Sequence, residues 1–168
     1  MIFGDVITDP TFPPLLSGEK VSKGVDPFTK AASASMMGCE PGVVFYAADQ
    51  DTLNAAITLV PDIALKESVS VVHALMLSLA DSLGALGPPE LAVHFVWPCH
   101  FKVNAARCGG IRFKASTTEP DTIPDWLVVG LTLPFVRPES IEPGSDPSQT
   151  WLHEEGCIEL TVPQVIES

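Results

Sequence analysis

Positive charge is scarce in this sequence. Nine Lys and Arg stand against 21 Asp and Glu, a formal net charge of -12. A chain this acidic is ill suited to a phosphate backbone, which proteins grip through Lys and Arg, so nucleic acid is not an expected partner. Only four cysteines occur, Cys39, Cys99, Cys108 and Cys157, none of them in a Cys-x-x-Cys pair. Met1 to Pro14 carries Asp5 and Asp9 and has no basic stretch to open a secretory signal. The cysteines therefore read as reduced thiols of a cytoplasmic protein. Cys99-His100, Cys108 and the pair His153/Cys157 lack the spacing of a zinc site, and buried Cys is often simply a small hydrophobe; no metal is expected. The longest apolar stretch, Val69 to Leu86, is broken by Ser70, His73, Ser78, Asp81, Ser82 and Gly84, so no membrane span is read there. Also missing are a Gly-x-Ser-x-Gly elbow, a P-loop, a Gly-x-Gly-x-x-Gly after a strand and a His-Glu-x-x-His helix.

What is present suits one packed domain over residues 1–168. Hydrophobic residues make up 46% of the chain and the mean hydropathy is +0.28, enough to build a core at this length. The charge is uneven. Ser116 to Ser168 holds one Arg against ten Asp and Glu, whereas Lys102, Arg107, Arg112 and Lys114 crowd four of the nine basic residues into one short stretch. Such a cluster either meets an anion or is a set of solvated strand charges.

Residues 1–25 are Pro- and Gly-rich with apolar islands, and read as an extended arm. Asp26-Pro27 opens a helix, with Asp as N-cap, Pro where no N–H is needed, and Gly38 to close it. Gly42 to Tyr46 and Leu53 to Val60 read as strands. Between Lys66 and Leu86 the apolar residues Val69, Val72, Leu75, Met76, Leu79, Leu83 and Leu86 follow helical spacing, and His73 at the edge of that stripe reads as a packed or capping histidine. Leu91 to Trp97 and Gly109 to Ala115 form a predicted hairpin turning at Asn104-Ala105. Trp126 to Leu133 is apolar but for Thr132 and predicts a strand covered on both faces. Trp151 to Gly156 reads as a helical turn. Thr161-Val162-Pro163-Gln164 opens a last helix, and with only Pro163 to Ser168 left to form it, the native chain is expected to continue further.

Two strings at fixed separation, Val93-His94-Phe95-Val96-Trp97-Pro98-Cys99-His100 and Arg107-Cys108-Gly109-Gly110-Ile111, resemble the biotin/lipoate A/B protein ligase family. There a strand ends in Trp-Pro-Asn-Asp and a hairpin returns through Lys-x-Ala/Cys-Gly-Ile; the residues between the strings fit without a gap. Trp126 to Leu131 stands where the family has its Gly-Ile-Gly-Ile-Asn strand, and Leu152 to Gly156 where a short segment precedes its last helix. The resemblance covers about Asp26 to Ser168. It implies an α+β domain like those of class II aminoacyl-tRNA synthetases and biotin protein ligases, with a mixed, mainly antiparallel sheet and helices packed on one face. It also implies ATP and biotin or lipoate as ligands, a small carboxylate or its acyl-adenylate as the bound species, and an acceptor protein as partner.

Three departures set this chain apart. Family members carry a Gly/Arg-rich loop that closes over the adenylate, and here Tyr46-Ala47-Ala48-Asp49-Gln50-Asp51-Thr52 runs almost directly into the next strand. The Asn-Asp after Trp-Pro is Cys99-His100, and the family's lysine is Arg107. Arg107 keeps a charge and a fork for carboxylate or phosphate. Uninterrupted strand alternation places it beside Ile111 and Phe113, opposite Arg112 and Lys114; the alternative is an Arg at a hairpin end paired with an acid. His100 reads as an acid/base or as a satisfied hydrogen-bond donor, and Gly109-Gly110 as a close approach to ligand or a strand kink. The candidate ligand-binding set is thus Trp97, Pro98, His100, Arg107, Gly109 and Gly110. Three functions follow: a ligase-like protein binding a small carboxylate or acyl-adenylate with weak or absent ligase activity, a working ligase or acyltransferase with altered residues, and a non-catalytic interaction domain.

Overall fold

The computed structural model describes residues 9–168. The chain opens with a short strand β1 (Ser17–Lys20), then helix α1 (Pro27–Met36), strands β2 (Val43–Tyr46) and β3 (Thr52–Leu59), helices α2 (Leu65–Ser68) and α3 (Ser70–Leu86), and strands β4 (Val93–Val96), β5 (His100–Val103), β6 (Ala106–Ala115) and β7 (Leu127–Pro134). A 3-10 turn (Leu152–Glu155) and helix α4 (Val162–Glu167) finish it. The seven strands form one sheet in the order β1-β2-β3-β7-β6-β5-β4. Only β1 and β2 run parallel; the other neighbours are antiparallel. After β3 the helices α2 and α3 carry the chain to the far edge at β4, and β5, β6 and β7 walk back until β7 closes against β3. The α+β class and the mixed, mainly antiparallel sheet are as expected.

Local chemistry accounts for the elements. Asp26 caps α1, its carboxylate accepting from the amides of Phe28 at 3.4 Å and Thr29 at 3.3 Å, with Pro27 at the first position. Thr161 and Gln164 form a capping box at α4. Val72, Met76, Leu79 and Leu83 of α3 are buried, as the stripe predicts, although the helix is interrupted at Val69 rather than continuous from Lys66. Leu65–Leu86 is apolar enough to pass for a membrane span by composition, with a mean hydropathy of 1.6. Its buried stripe nevertheless packs into the domain's own core, as an amphipathic core helix does.

Two features differ from expectation. The arm contributes a strand, β1, whose Ser-Gly-Glu-Lys sequence is exposed throughout and has no apolar alternation to announce it. The helices also divide between the two faces. Leu53, Val129 and Leu133 meet α3 and α4 on one side, while Phe45, Ala56 and Val128 meet Ala31 of α1 on the other. Ala31 is fully buried, and so small a side chain lets α1 lie close on the sheet. The two sides are called the α3 face and the α1 face below.

Candidate functional site

The predicted hairpin is a three-stranded meander, because His100–Val103 forms a strand of its own between β4 and β6. Asn104 and Ala105, both at positive φ, make the turn from β5 to β6. Lys102 pairs with Arg107 and His100 with Gly110, so β6 carries one more residue than β5 over the same length. The extra residue is a β-bulge, and Gly109 at φ 88° supplies its left-handed conformation. One inserted residue inverts the alternation. Cys108 and Ile111 both point into the α3-face core, and Arg107 joins Gly110, Arg112 and Lys114 on the α1 face. The expectation that Arg107 lies beside Ile111 and Phe113 is therefore corrected; it assumed a strand without a bulge.

Cross-strand pairing places His94 level with Lys102, and Lys102 level with Arg107. The α1 face near this edge thus gathers His94, His100, Lys102, Arg107, Arg112 and Lys114, a basic surface on an acidic protein. Arg107 is exposed and makes no ion pair within 4 Å among the described residues. Its main chain is strapped to the loop between β7 and the 3-10 turn, donating to the Ser148 carbonyl at 2.7 Å and accepting from the Thr150 amide at 2.8 Å. Asp146 in that loop titrates below its usual range, chiefly through hydrogen bonds from Ser148 and also through the Arg107 charge.

Above β6 and β7 on the α1 face sits Phe28, from the first turn of α1. A Cβ on Gly130 would lie 2.6 Å from its ring, so glycine there is what admits it. The Arg112 guanidinium caps the ring at 4.5 Å and binds Asp26 through two hydrogen bonds of 2.9 and 3.2 Å. Partial burial works to raise the Asp26 pKa, but hydrogen bonds from Arg112 and Thr29, the Arg112 charge and the Phe28 amide together outweigh it, and the carboxyl titrates below its ordinary 3.8. A depressed carboxyl pKa adds stability above the unfolded value, and that stability is lost as pH falls through the folded one. Asp26→Asn is therefore expected to cost about 1 kcal/mol at neutral pH, allowing for the half-exposed pair. In urea unfolding the gap between variant and wild type should close below pH ~4; a gap unchanged at pH 3 would mean that the ion pair contributes nothing.

The other candidates lie elsewhere. Trp97 is 80% exposed and stacks on His73 of α3 with ring centres 5.8 Å apart. With Pro98, Met76, Leu77 and Phe95 these residues line a cavity of about 330 Å³ on the α3 side. His100, Arg107 and Gly110 are thus brought together on the α1 face, Gly109 is the bulge that puts them there, and Trp97 and Pro98 lie across the sheet. Five cavities stand out among the described residues, and none is lined by Arg107, Gly109 or Gly110. Gly110 is close against β5, since a Cβ there would lie 3.0 Å from the Cys99 carbonyl oxygen and 3.3 Å from the His100 ring.

The link from β2 to β3 is a tight turn. The Asp51 amide donates to the Asp49 carboxylate at 2.9 Å, and the Asp51 carbonyl accepts from the amides of Phe135 and Val136. All four cysteines are free thiols. Burial pushes the Cys108 thiol up to about 12, with further increments from Glu155 and Cys157, so it stays protonated and unreactive. Among the described residues no three His, Cys, Asp or Glu side chains converge as a metal cluster.

Missed in the sequence were the contacts of Phe28 and Arg112 and the side chains of Asn54 and Thr132. Asn54 pairs with Thr132, Thr132 with Gly110, and Gly110 with His100, in one line across the α1 face. The basic cluster did flag Arg112, and Asp26 was legible as a cap, but nothing in the sequence joins the two.

A seven-stranded sheet with a Trp-Pro turn at its edge and a bulged return strand defines a ligase-like α+β domain. The chain matches the profile of the Biotin/lipoate A/B protein ligase family over residues 12–168, and it belongs to that family. Its fold is similar to the crystal structure of a biotin protein ligase-like protein of unknown function from Silicibacter sp. TM1040, at TM-score 0.86 and 41% identity, covering 94% of this chain and 68% of that one. It is also similar to a point mutant of the biotin protein ligase from Aquifex aeolicus in complex with biotin (TM-score 0.66, 16% identity, 90% and 66% covered). A third likeness is to the Helicobacter pylori biotin acetyl coenzyme A carboxylase synthetase with bound biotinylated ATP (TM-score 0.55, 14% identity, 90% and 74% covered). The chain spans about two thirds of the length of the first two. A comparison with curated proteins returns no match.

Proposed function

We propose that this protein binds a small carboxylate or its acyl-adenylate on the α1 face, in the cytoplasm, with ligase activity weak or absent. The observation that carries the reading is the β2–β3 turn. Where the family has a Gly/Arg-rich loop to enclose an adenylate, five residues of the sequence Ala-Ala-Asp-Gln-Asp join the strands, and Asp51 is pinned by main-chain hydrogen bonds. Two carboxylates there repel phosphate rather than neutralise it. What remains for an anion is the basic surface of His100, Lys102 and Arg107, which suits binding without enclosure. Phe28, seated on Gly130 beneath Arg112, narrows the same face and favours a secondary reading as a non-catalytic interaction domain.

A thermal-shift series with biotin, lipoate, octanoate, ATP and non-hydrolysable acyl-adenylates tests the proposal. A ligand at a hundred times its Kd stabilises by about 2.7 kcal/mol, which for a domain of this size raises Tm by roughly 5–10 °C. Replacing Lys102 and Arg107 together by Ala should weaken an anionic ligand about 10-fold, since each exposed charge contributes about 0.5–1 kcal/mol. If every compound leaves Tm unmoved, the binding reading is wrong and the interaction-domain reading replaces it.

A further inference from the structure

The sheet ends in two different edges. At one end β1 is Ser-Gly-Glu-Lys, and the charges of Glu19 and Lys20 guard it against pairing with another chain. At the other end β4 is Val-His-Phe-Val, with no Lys, Asp, Glu or Pro to guard it. Val93–Val96 pairs with β5 alone among the described residues. Alternate residues of an antiparallel pair turn their N–H and C=O groups away from the partner. One side of β4 therefore offers main-chain donors and acceptors to a further strand.

The two faces of this edge differ in kind. On the α3 face Phe95, 45% exposed, meets the buried Phe101 ring with centres 6.2 Å apart. Helix α3 packs along β4, and its Leu77, 58% exposed, lines the 330 Å³ cavity together with Phe95, His73 and Trp97. The stack on His73 orients the Trp97 indole while most of its surface faces water. A large aromatic side chain held in that way is the type that anchors protein interfaces, and the basic surface across the sheet makes no use of it. On the α1 face stand His94 and, level with it, Lys102. Lys102 makes no ion pair within 4 Å among the described residues.

An open edge, an apolar groove on one face and unpaired basic charge on the other together match strand addition, in which the main chain gives affinity and alternate side chains give specificity. We propose that the β4 edge is an interaction surface for an extended segment of another protein, one in which apolar residues alternate with Asp or Glu. Such a segment lies about 4.8 Å beyond β4. Its apolar side chains enter the groove between Phe95, Leu77 and Trp97, and its carboxylates lie beside His94 and Lys102. A second copy of this chain is the poorer occupant. Two β4 strands related by a two-fold axis bring basic face to basic face, and neither strand carries a carboxylate to meet the other. The surface serves a protein partner whether or not a small carboxylate binds elsewhere.

The test is calorimetric titration of the intact protein with short capped peptides that carry Glu at alternate positions and Val, Leu or Phe between them, beside counterparts with Lys in place of Glu. At least one acidic peptide is expected to bind with a Kd of about 100 μM or lower, and its Lys counterpart about 10-fold or more weakly. Trp97→Ser should weaken the acidic peptide about 10-fold or more, and Leu77→Ser about 3-fold. Both side chains are exposed, so neither variant is expected to lose the fold. Amide exchange should slow along β4 when the peptide is bound and stay unchanged along β1. No binding of any acidic peptide at about 1 mM, equal affinity for the Lys peptides, or affinity unmoved in both variants overturns the proposal. Protection of amides other than those of β4 overturns it as well. Concentration-dependent dimerisation of the protein alone, with β4 amides protected in the dimer, would give the edge to a second copy and overturn the acidic partner.

Discussion

Given ATP, biotin or lipoate and a standard acceptor domain, the protein is expected to label the acceptor at least about 10²–10³-fold more slowly than an active ligase, the usual loss when preorganised charge stabilisation is removed. Adenylate formation gathers negative charge on an α-phosphate and needs water kept out of the site. The Gly/Arg-rich loop that marks the family, by closing over the adenylate, would supply both. Here Tyr46 and Thr52 are separated by five residues, two of them Asp, and the turn is fixed by hydrogen bonds to Phe135 and Val136. Nothing in that turn can fold over a ligand or offer a guanidinium to it. Arg112 does not compensate, because two of its N–H groups and much of its charge are committed to Asp26 and its plane to Phe28. Arg107 is a replacement in charge but not in setting, since it is exposed to solvent and interacts more weakly with any anion than a desolvated group. Acceptor labelling followed over time, beside an active ligase as control, decides the matter. Turnover at the control's rate would show that another segment supplies the missing charge.

Elements with local signals were legible in the sequence, and those set by a single residue or a distant contact were not. Helix α1 could be read from Asp26, Pro27 and Gly38 because caps act within one turn. Strand β7 could be read from its apolar run, interrupted only by Thr132, which needs cover on both faces and has it. Strand β1 is exposed and lacks alternation, so it exists by pairing with β2 rather than by its own residues. Strand β5 is four residues held between two turns and was absorbed into the hairpin. The caps of α1 mark where the helix starts and stops, but not which face of the sheet receives it. At the site, the charge of Arg107 and the glycine pair were visible, yet the side on which Arg107 emerges depends on which glycine is the extra residue. The resemblance grouped Trp97 with Arg107, and the sheet itself separates them. The Phe28–Gly130 contact joins two residues with no shared pattern and becomes visible only when α1 is laid on β7.

Gly109→Ala is expected to be the most damaging single substitution near the site, costing about 3–5 kcal/mol of a total stability of order 5–15 kcal/mol. Two effects add. At φ 88° an alanine enters the left-handed region, a penalty of roughly 1–2 kcal/mol. Its Cβ would also lie 2.2 Å from the Thr132 carbonyl oxygen and 3.1 Å from Leu133 Cα. Those atoms are backbone of a central strand, so no rotamer change relieves the clash, and β6 must move away from β7 or give up the bulge. Either response disturbs the level at which Thr132, Gly110 and His100 align. Gly24→Ala separates the two effects, because Gly24 has a similar φ of 82° and nothing lies within 4 Å of where its Cβ would stand. That control should cost only the conformational part, about 1–2 kcal/mol. Urea unfolding of both variants measures the difference. Equal losses would mean that β6 accommodates the extra carbon and that Gly109 is required for its dihedral angle alone. The expected excess at Gly109 would identify the close contact with β7 as what fixes the bulge, and with it the side of the sheet on which Arg107 emerges.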